Sequence, residues 1–291
     1  MIIISVGISL LNNLLNPSCE INKIFKGQIS YKNKIQILIN NFAKKDEETN
    51  QKTIKALFKN GLDGDAEKSF AFFEDYIDFF SNNDNGKILE NIKKRTGNRP
   101  DLLPAEISSL FLYYYDADGK KRDNTELEVK NDNRTKDRII LLCTETADSV
   151  LCALIIKEII EKSDYFKDKC EVLEITEKDD EYNYDNGIVV IKNLDMVNKA
   201  DKWICWDKDR LTNNCGIMKL YSYLKEKESQ ISLIMRTGSY KELSADLLLL
   251  SAQFKISTYY LFENSLTSVR TEPEDISPGL IEKIFLKPSK P

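Results

Sequence analysis

Two short segments near opposite ends of the chain carry residues suited to holding an anion. Ile2-Ile3-Ile4-Ser5-Val6-Gly7-Ile8-Ser9-Leu10-Leu11 and Ser232-Leu233-Ile234-Met235-Arg236-Thr237-Gly238-Ser239-Tyr240-Lys241 each read as an apolar strand that stops at a small-residue turn and enters a helix. Such a turn leaves the first N–H groups of the helix without backbone partners, and the helix dipole adds positive potential, so a phosphate is a natural occupant. Ser9 and Thr237 add hydroxyls, and Arg236 and Lys241 add cations. A lysine in the first turn of a helix is electrostatically disfavoured unless an anion offsets it. A third turn, Thr144-Glu145-Thr146, follows the apolar run Ile139–Cys143 in the same way. Each turn also has a plainer reading: Gly7 and Gly238 as turn formers, Ser9 as a helix cap, Lys241 as a solvated lysine. Their order along the chain, which one edge of a sheet would bring together, is what joins them.

The chain contains no histidine. Ser-His-Asp and Cys-His catalysis, histidine-ligated metals and imidazole acid–base chemistry are therefore excluded, leaving Lys, Arg, Ser, Thr, Tyr, carboxylates and backbone dipoles. The six cysteines (Cys19, Cys143, Cys152, Cys170, Cys205 and Cys215) form neither a C-x-x-C pair nor a zinc spacing. Cys143 and Cys152 lie in apolar runs and read as small buried hydrophobes in a reducing compartment. Asp63, Asp65 and Glu67 match a calcium loop only loosely, with the required later glutamate missing, so they read as solvated turn acids and no metal site is expected. A dinucleotide fold would need G-x-G-x-x-G after the first strand, and the Gly7 turn lacks the second and third glycines, so no cofactor is expected. A net charge of −5 argues against a grip on long nucleic acid, though not against a small anion in a pocket.

The elements that must position these turns follow from periodicity. At 291 residues, with 31% charged and 42% hydrophobic residues and a mean hydropathy of −0.40, the chain has the profile of a globular protein. No apolar stretch is long enough for a membrane helix, and the apolar N-terminus lacks a basic segment before it, so it reads as a first strand and a cytoplasmic location is the default. After residues 2–6 and a short apolar helix at Leu10–Leu15, the pattern from about Glu20 to Tyr115 is helical. Ile35, Leu38, Ile39 and Phe42, then Ile54, Leu57 and Phe58, then Phe70, Phe73, Ile77 and Phe80 recur at steps of three and four. Turns are expected at Gly61–Asp65 and Ser81–Gly86, and a further helix at Pro104–Tyr114. The charged stretch 116–136 reads as a linker or a charged hairpin.

From Arg138 strands and helices alternate: strand Ile139–Cys143, helix Ser149–Lys162, strand Glu171–Thr176, weaker strands at Gly187–Lys192 and Trp203–Trp206, and helix Cys215–Lys227. Strand Ile231–Met235, helix Lys241–Phe254 and strand Ser257–Phe262 follow. This alternation implies an α/β fold, a mainly parallel sheet with helices on both faces, whose ligands bind at the carboxyl ends of the strands where the strand order reverses.

The quoted motifs resemble those of the CRISPR-associated Rossmann fold (CARF) proteins. Ile4-Ser5-Val6-Gly7-Ile8-Ser9-Leu10-Leu11 is similar to the family's opening strand and Ser-Val-Gly-Thr-Ser-Leu-Leu turn, with Ile8 where threonine is usual. Pro104-Ala105-Glu106-Ile107-Ser108-Ser109-Leu110 resembles its middle helix, and Leu141-Leu142-Cys143-Thr144-Glu145-Thr146 its next strand and acidic turn. Thr237-Gly238-Ser239-Tyr240-Lys241 resembles its late Thr-Gly-Gly-Phe-Lys turn, with Ser239 and Tyr240 as departures. The resemblance implies a Rossmann-like domain made of residues 1–19 and 101–291, with 20–100 as a helical insertion after the first strand that reads as a lid or a partner-binding platform. It further implies a two-fold homodimer that binds a cyclic oligoadenylate, tetra-adenylate above others, a second messenger of type III CRISPR defence. Ser9, Thr237, Gly238 and Lys241 would then hold phosphate and ribose, with Gly7, Ile8, Leu10, Arg236, Ser239 and Tyr240 around them. Thr144, Glu145 and Thr146 would lie toward adenine or ribose. Two activities stay open: a metal-independent ring nuclease in which Lys241 and Ser9 assist attack of a ribose 2′-hydroxyl on its own phosphate, and a sensor that binds the ring intact and signals through a change in dimer shape.

Overall fold

A computed structural model describes residues 1–8, 10, 11, 14, 47–60, 67–81, 86–94, 103–122, 136–173, 183–185, 187–191, 216–238, 241–262 and 265–276. In chain order its elements are β1 (Ile2–Ser5), α1 (Glu47–Asn60), α2 (Glu67–Ser81), α3 (Gly86–Lys94), α4 (Ala105–Tyr114), β2 (Asp137–Thr144), α5 (Ala147–Lys162), β3 (Cys170–Val172), β4 (Asn183–Asp185) and β5 (Ile188–Ile191). They continue with α6 (Gly216–Lys227), β6 (Leu233–Met235), α7 (Lys241–Gln253), β7 (Ser257–Leu261), β8 (Ser268–Thr271) and a short 3₁₀ turn at Pro273–Asp275.

The eight strands form one sheet in the order β4-β5-β2-β1-β6-β7-β8, with β3 pairing alongside the start of β2. β1 lies parallel to β2 on one side (Ile3 opposite Ile140) and parallel to β6 on the other (Ile3 opposite Ile234). The strands up to β5 therefore lie on one side of β1, with β4 at that edge, and β6, β7 and β8 run outward in succession on the other. The reversal falls between β1 and β6, the place where an open α/β sheet opens a crevice at its carboxyl edge. This is the Rossmann-like architecture expected from the alternation of elements.

The strands are continuous apolar runs because both faces are covered. Ile2, Ile4, Ile139, Leu141, Cys143, Leu233 and Met235 face α4, α5 and the helices α1 to α3, while Ile3, Ile140, Leu142, Val189 and Ile234 face α6 and α7. Each fully buried Ile or Leu contributes about 1.5–3 kcal/mol of transfer free energy. The described insertion helices build no core of their own: Ile54, Leu57, Phe73, Tyr76, Ile77, Phe80, Ile88 and Ile92 join the cluster that covers the first face. α5, capped by Thr146 with Asp148 in its first turn and Lys162 in its last, lies between the sheet and this added layer and is apolar nearly all round.

Several expectations shift by a residue or two, and two edge strands were not anticipated. β4 and β8 pair antiparallel with β5 and β7, and β8 reads Ser-Val-Arg-Thr with no buried residue, so no apolar run marks it. Of the charged stretch, Asp116–Arg122 is described and forms a tight turn: the Asp116 carboxylate accepts from the N–H groups of Asp118 and Lys120, both at 2.9 Å, and Tyr115 pairs with Lys121. Gly119, at φ +82°, supplies the left-handed turn residue. The expected helix at residues 35–42, the turns at 61–65 and 82–85, Asp63 and Asp65 of the loose calcium loop and the strand at 203–206 lie outside the described residues, while Glu67 opens α2. Cys143, Cys152 and Cys170 are buried and none is in a disulfide. Among the described residues no helix is long and apolar enough to cross a membrane, and no group of three or more Cys, Asp or Glu side chains is placed to hold a metal ion.

Candidate functional site

The turn after β1 sits between the turns after β2 and β6, and a few side chains stitch the three together. Beyond the paired part of β1 the strand continues for one more bond, Val6 N–H to Leu142 C=O at 2.8 Å. Ser5 Oγ donates to the Met235 carbonyl (3.1 Å), tying β1 to β6 just below the reversal. Ser149, in the first turn of α5, joins the other pair: its hydroxyl donates to Val6 C=O (3.4 Å) and accepts from Thr144 N–H (3.3 Å).

The turn after β6 is held from α4. Pro104 is the N-cap residue that leads into this helix, and the helical spacing places Glu106 and, one turn on, Ser109 along the same face. Ser109 Oγ donates to Thr237 Oγ1 at 2.6 Å, and Thr237 Oγ1 accepts from Leu261 N–H at 2.9 Å. Glu106, 1% exposed, accepts the Gly7 N–H on Oε1 at 3.0 Å. The same carboxylate fills the space beside Gly238: a Cβ there would stand 2.5 Å from Glu106 Cγ and closer still to the carboxyl oxygen. Gly238 is therefore required by a close approach. Its neighbour across the crevice, Gly7, spends its N–H on the same carboxylate.

The negative charge of Glu106 also reaches Cys152 in α5, whose thiol is pushed well above its ordinary value by burial first and then by Glu106 and Asp148. Arg236 leaves the sheet on the opposite face. Its guanidinium donates to Thr258 Oγ1 (3.3 Å) and Ser244 Oγ (3.1 Å) and stacks over the Tyr260 ring at 4.9 Å. Burial lowers its pKa, an effect partly opposed by Tyr260. It ties β6, β7 and α7 together on the face remote from α4.

The turn after β2 is covered by the insertion. Asn50 of α1 donates from Nδ2 to Glu145 C=O (2.8 Å) and accepts from Ala147 N–H on Oδ1 (3.0 Å), and Gln51 Nε2 donates to the Glu145 carboxylate. Thr146 caps α5 by accepting from Ser149 N–H (3.4 Å), and its hydroxyl lies 3.3 Å from that of Thr144.

The expected site residues thus fall into three groups. Gly7, Thr237 and Gly238 meet at the reversal around Glu106, with Ile8 half-buried beside them and Thr144, Glu145 and Thr146 on the neighbouring turn. Leu10 is wholly buried in the core, and Arg236 serves the other face. Ser9, Ser239 and Tyr240 lie outside the described residues; Lys241 opens α7, and its side chain is not among those described.

Two features differ from the sequence-based picture. The Gly7 N–H, expected to face a phosphate, is already satisfied by a carboxylate. Four residues that organise the site, Glu106, Ser109, Ser149 and Asn50, were not among the expected ones. Glu106 and Ser109 stand in a quoted motif, so a carboxylate followed by a hydroxyl one turn later on an otherwise apolar helix was the available signal. Nothing local marks Asn50. Comparison of the chain with models of known protein families and with curated protein sequences finds no match.

Proposed function

We propose that the crevice between β1 and β6 binds a cyclic oligoadenylate across a two-fold dimer, as the resemblance of its motifs to CARF proteins implies. The observation that carries this reading is the parallel pairing of β1 with β6 at the reversal of strand order, which brings the Gly7 and Thr237-Gly238 turns together over α4. A ring of phosphates and riboses suits turns rich in N–H groups and hydroxyls at the start of a helix, and a symmetric ring suits an isologous dimer.

Two observations favour a sensor over a ring nuclease. The Gly7 N–H is committed to Glu106, which removes one donor from the stabilisation of a developing charge. The turn after β2 is clasped by Asn50 and Gln51 of the insertion, a direct mechanical link from the crevice edge to a separate helical layer. Slow cleavage remains within the chemistry of the site if Lys241 faces the scissile phosphate.

Incubation of the purified protein with cyclic tetra- and hexa-adenylate in EDTA, followed by chromatography of the nucleotides, separates the outcomes. Tight binding with the ring intact supports the sensor. Linear products that disappear in Lys241→Ala support the ring nuclease. Absence of binding to any ring size overturns the reading.

A further inference from the structure

A carboxylate buried at the centre of a proposed anion site calls for a reason. Removing it from water is costly, and a well-packed apolar residue would serve stability as well or better. What Glu106 does that an apolar residue cannot is accept the Gly7 N–H at 3.0 Å while filling the space beside Gly238. It thereby touches both turns of the crevice from below. Ser109, on the same face of α4, adds the second tie through Thr237 to Leu261. At 1% exposure the carboxylate is shielded from solvent beneath the two turns that it touches.

We propose that Glu106 is the positioning residue of this crevice: one carboxylate sets the spacing and relative orientation of the β1 and β6 turns, with Gly7 held by a hydrogen bond and Gly238 by steric fit. The role rests on the reading of the crevice as a messenger site for its functional consequence, but not for its geometry. It implies that positions 106 and 238 are matched in size although they are far apart in sequence. It also divides the labour of the site. The Gly7 N–H holds the turns in place, and contact with the ligand falls to other groups of the site.

The test uses amide hydrogen exchange, which needs no ligand, together with titration by cyclic tetra-adenylate. In Glu106→Ala the Gly7 amide should exchange at least about tenfold faster and the messenger should bind at least about tenfold more weakly, with Glu106→Gln, which keeps an acceptor oxygen and the shape, recovering most of both. Gly238→Ala should weaken binding alone, and much less so when combined with Glu106→Asp, whose shorter side chain withdraws from the added methyl. This pair serves as well if Glu106→Ala fails to fold. Unchanged Gly7 protection in Glu106→Ala, or additive effects of the 106 and 238 substitutions, would overturn the positioning role. Failure of the wild-type protein to bind any cyclic oligoadenylate would sink the functional reading instead, and Gly7 exchange would still decide the role of Glu106.

Discussion

Gly238 shows how a turn glycine is fixed by a neighbour rather than by its own backbone angles. Its φ is not in the left-handed region, yet a single added methyl meets the Glu106 carboxyl group. Gly238→Ala should therefore destabilise the protein by about 1–3 kcal/mol, the usual cost of overpacking, measurable as a lower urea midpoint at unchanged slope. A midpoint equal to wild type would mean that the turn yields freely. Of the residues expected to act together, Gly7, Thr237 and Gly238 do meet, because they end parallel neighbouring strands in register. Arg236 does not join them, because side chains alternate across a sheet and residue 236 falls on the α6–α7 side of β6. That alternation could have been read from Ile234 and Arg236 alone. The partner of Gly7 could not.

At the scale of elements, the decisive contact is that of α1 with the turn leading into α5. Asn50 satisfies both a carbonyl and a helix N-terminal N–H, so Asn50→Ala removes two hydrogen bonds from a half-buried place and should cost about 1–2 kcal/mol. Hydrogen exchange should show the loss at Ala147, and an unchanged Ala147 amide would show that α1 does not hold this turn. If the crevice signals through the insertion, Asn50→Ala should also uncouple messenger binding from changes in α1. Helical periodicity marks 20–100 as helical, and its reading as an inserted lid or platform comes with the resemblance to CARF proteins. Its attachment to the Glu145 turn came only from folding, since α1 reaches that turn through side chains that are ordinary surface polar residues in sequence.

For the whole molecule, deep burial on both faces of the sheet has consequences for pH and reactivity. Burial pushes the Cys170 thiol up to about 12 and raises Tyr113, Tyr114 and Tyr259, with Asp137 adding to the effect on Cys170, Tyr113 and Tyr114. These groups ionise at about 8.5 for cysteine and about 10 for tyrosine once exposed. Their folded-state values lie above the unfolded ones, so the stability linked to them is complete below about pH 8.5 and drains away as the pH rises toward 12. Denaturation series between pH 7 and 11 should show stability falling on the alkaline side, and a flat profile would contradict it. In the native state Cys143, Cys152 and Cys170 should resist a thiol-alkylating reagent at pH 8 and react on unfolding, as peptide mapping would show.

The amino-acid sequence alone determined the strand–turn–helix grammar of this protein: the apolar runs of β1, β2 and β6, the caps and turns that follow them, and hence a mainly parallel sheet with a crevice at one edge. These features are legible because they depend on neighbours a few residues apart and on periods of two and 3.6. Only the tertiary structure decided which side chains tie the turns at that edge together. The bonds from Glu106 to Gly7, Ser109 to Thr237, Ser149 to Val6 and Asn50 to Ala147 join residues 99, 128, 143 and 97 positions apart. Glu106, Ser109, Ser149 and Asn50 are ordinary polar residues in the sequence until packing carries them against these partners, where an unpaired donor or acceptor becomes costly enough to choose its mate.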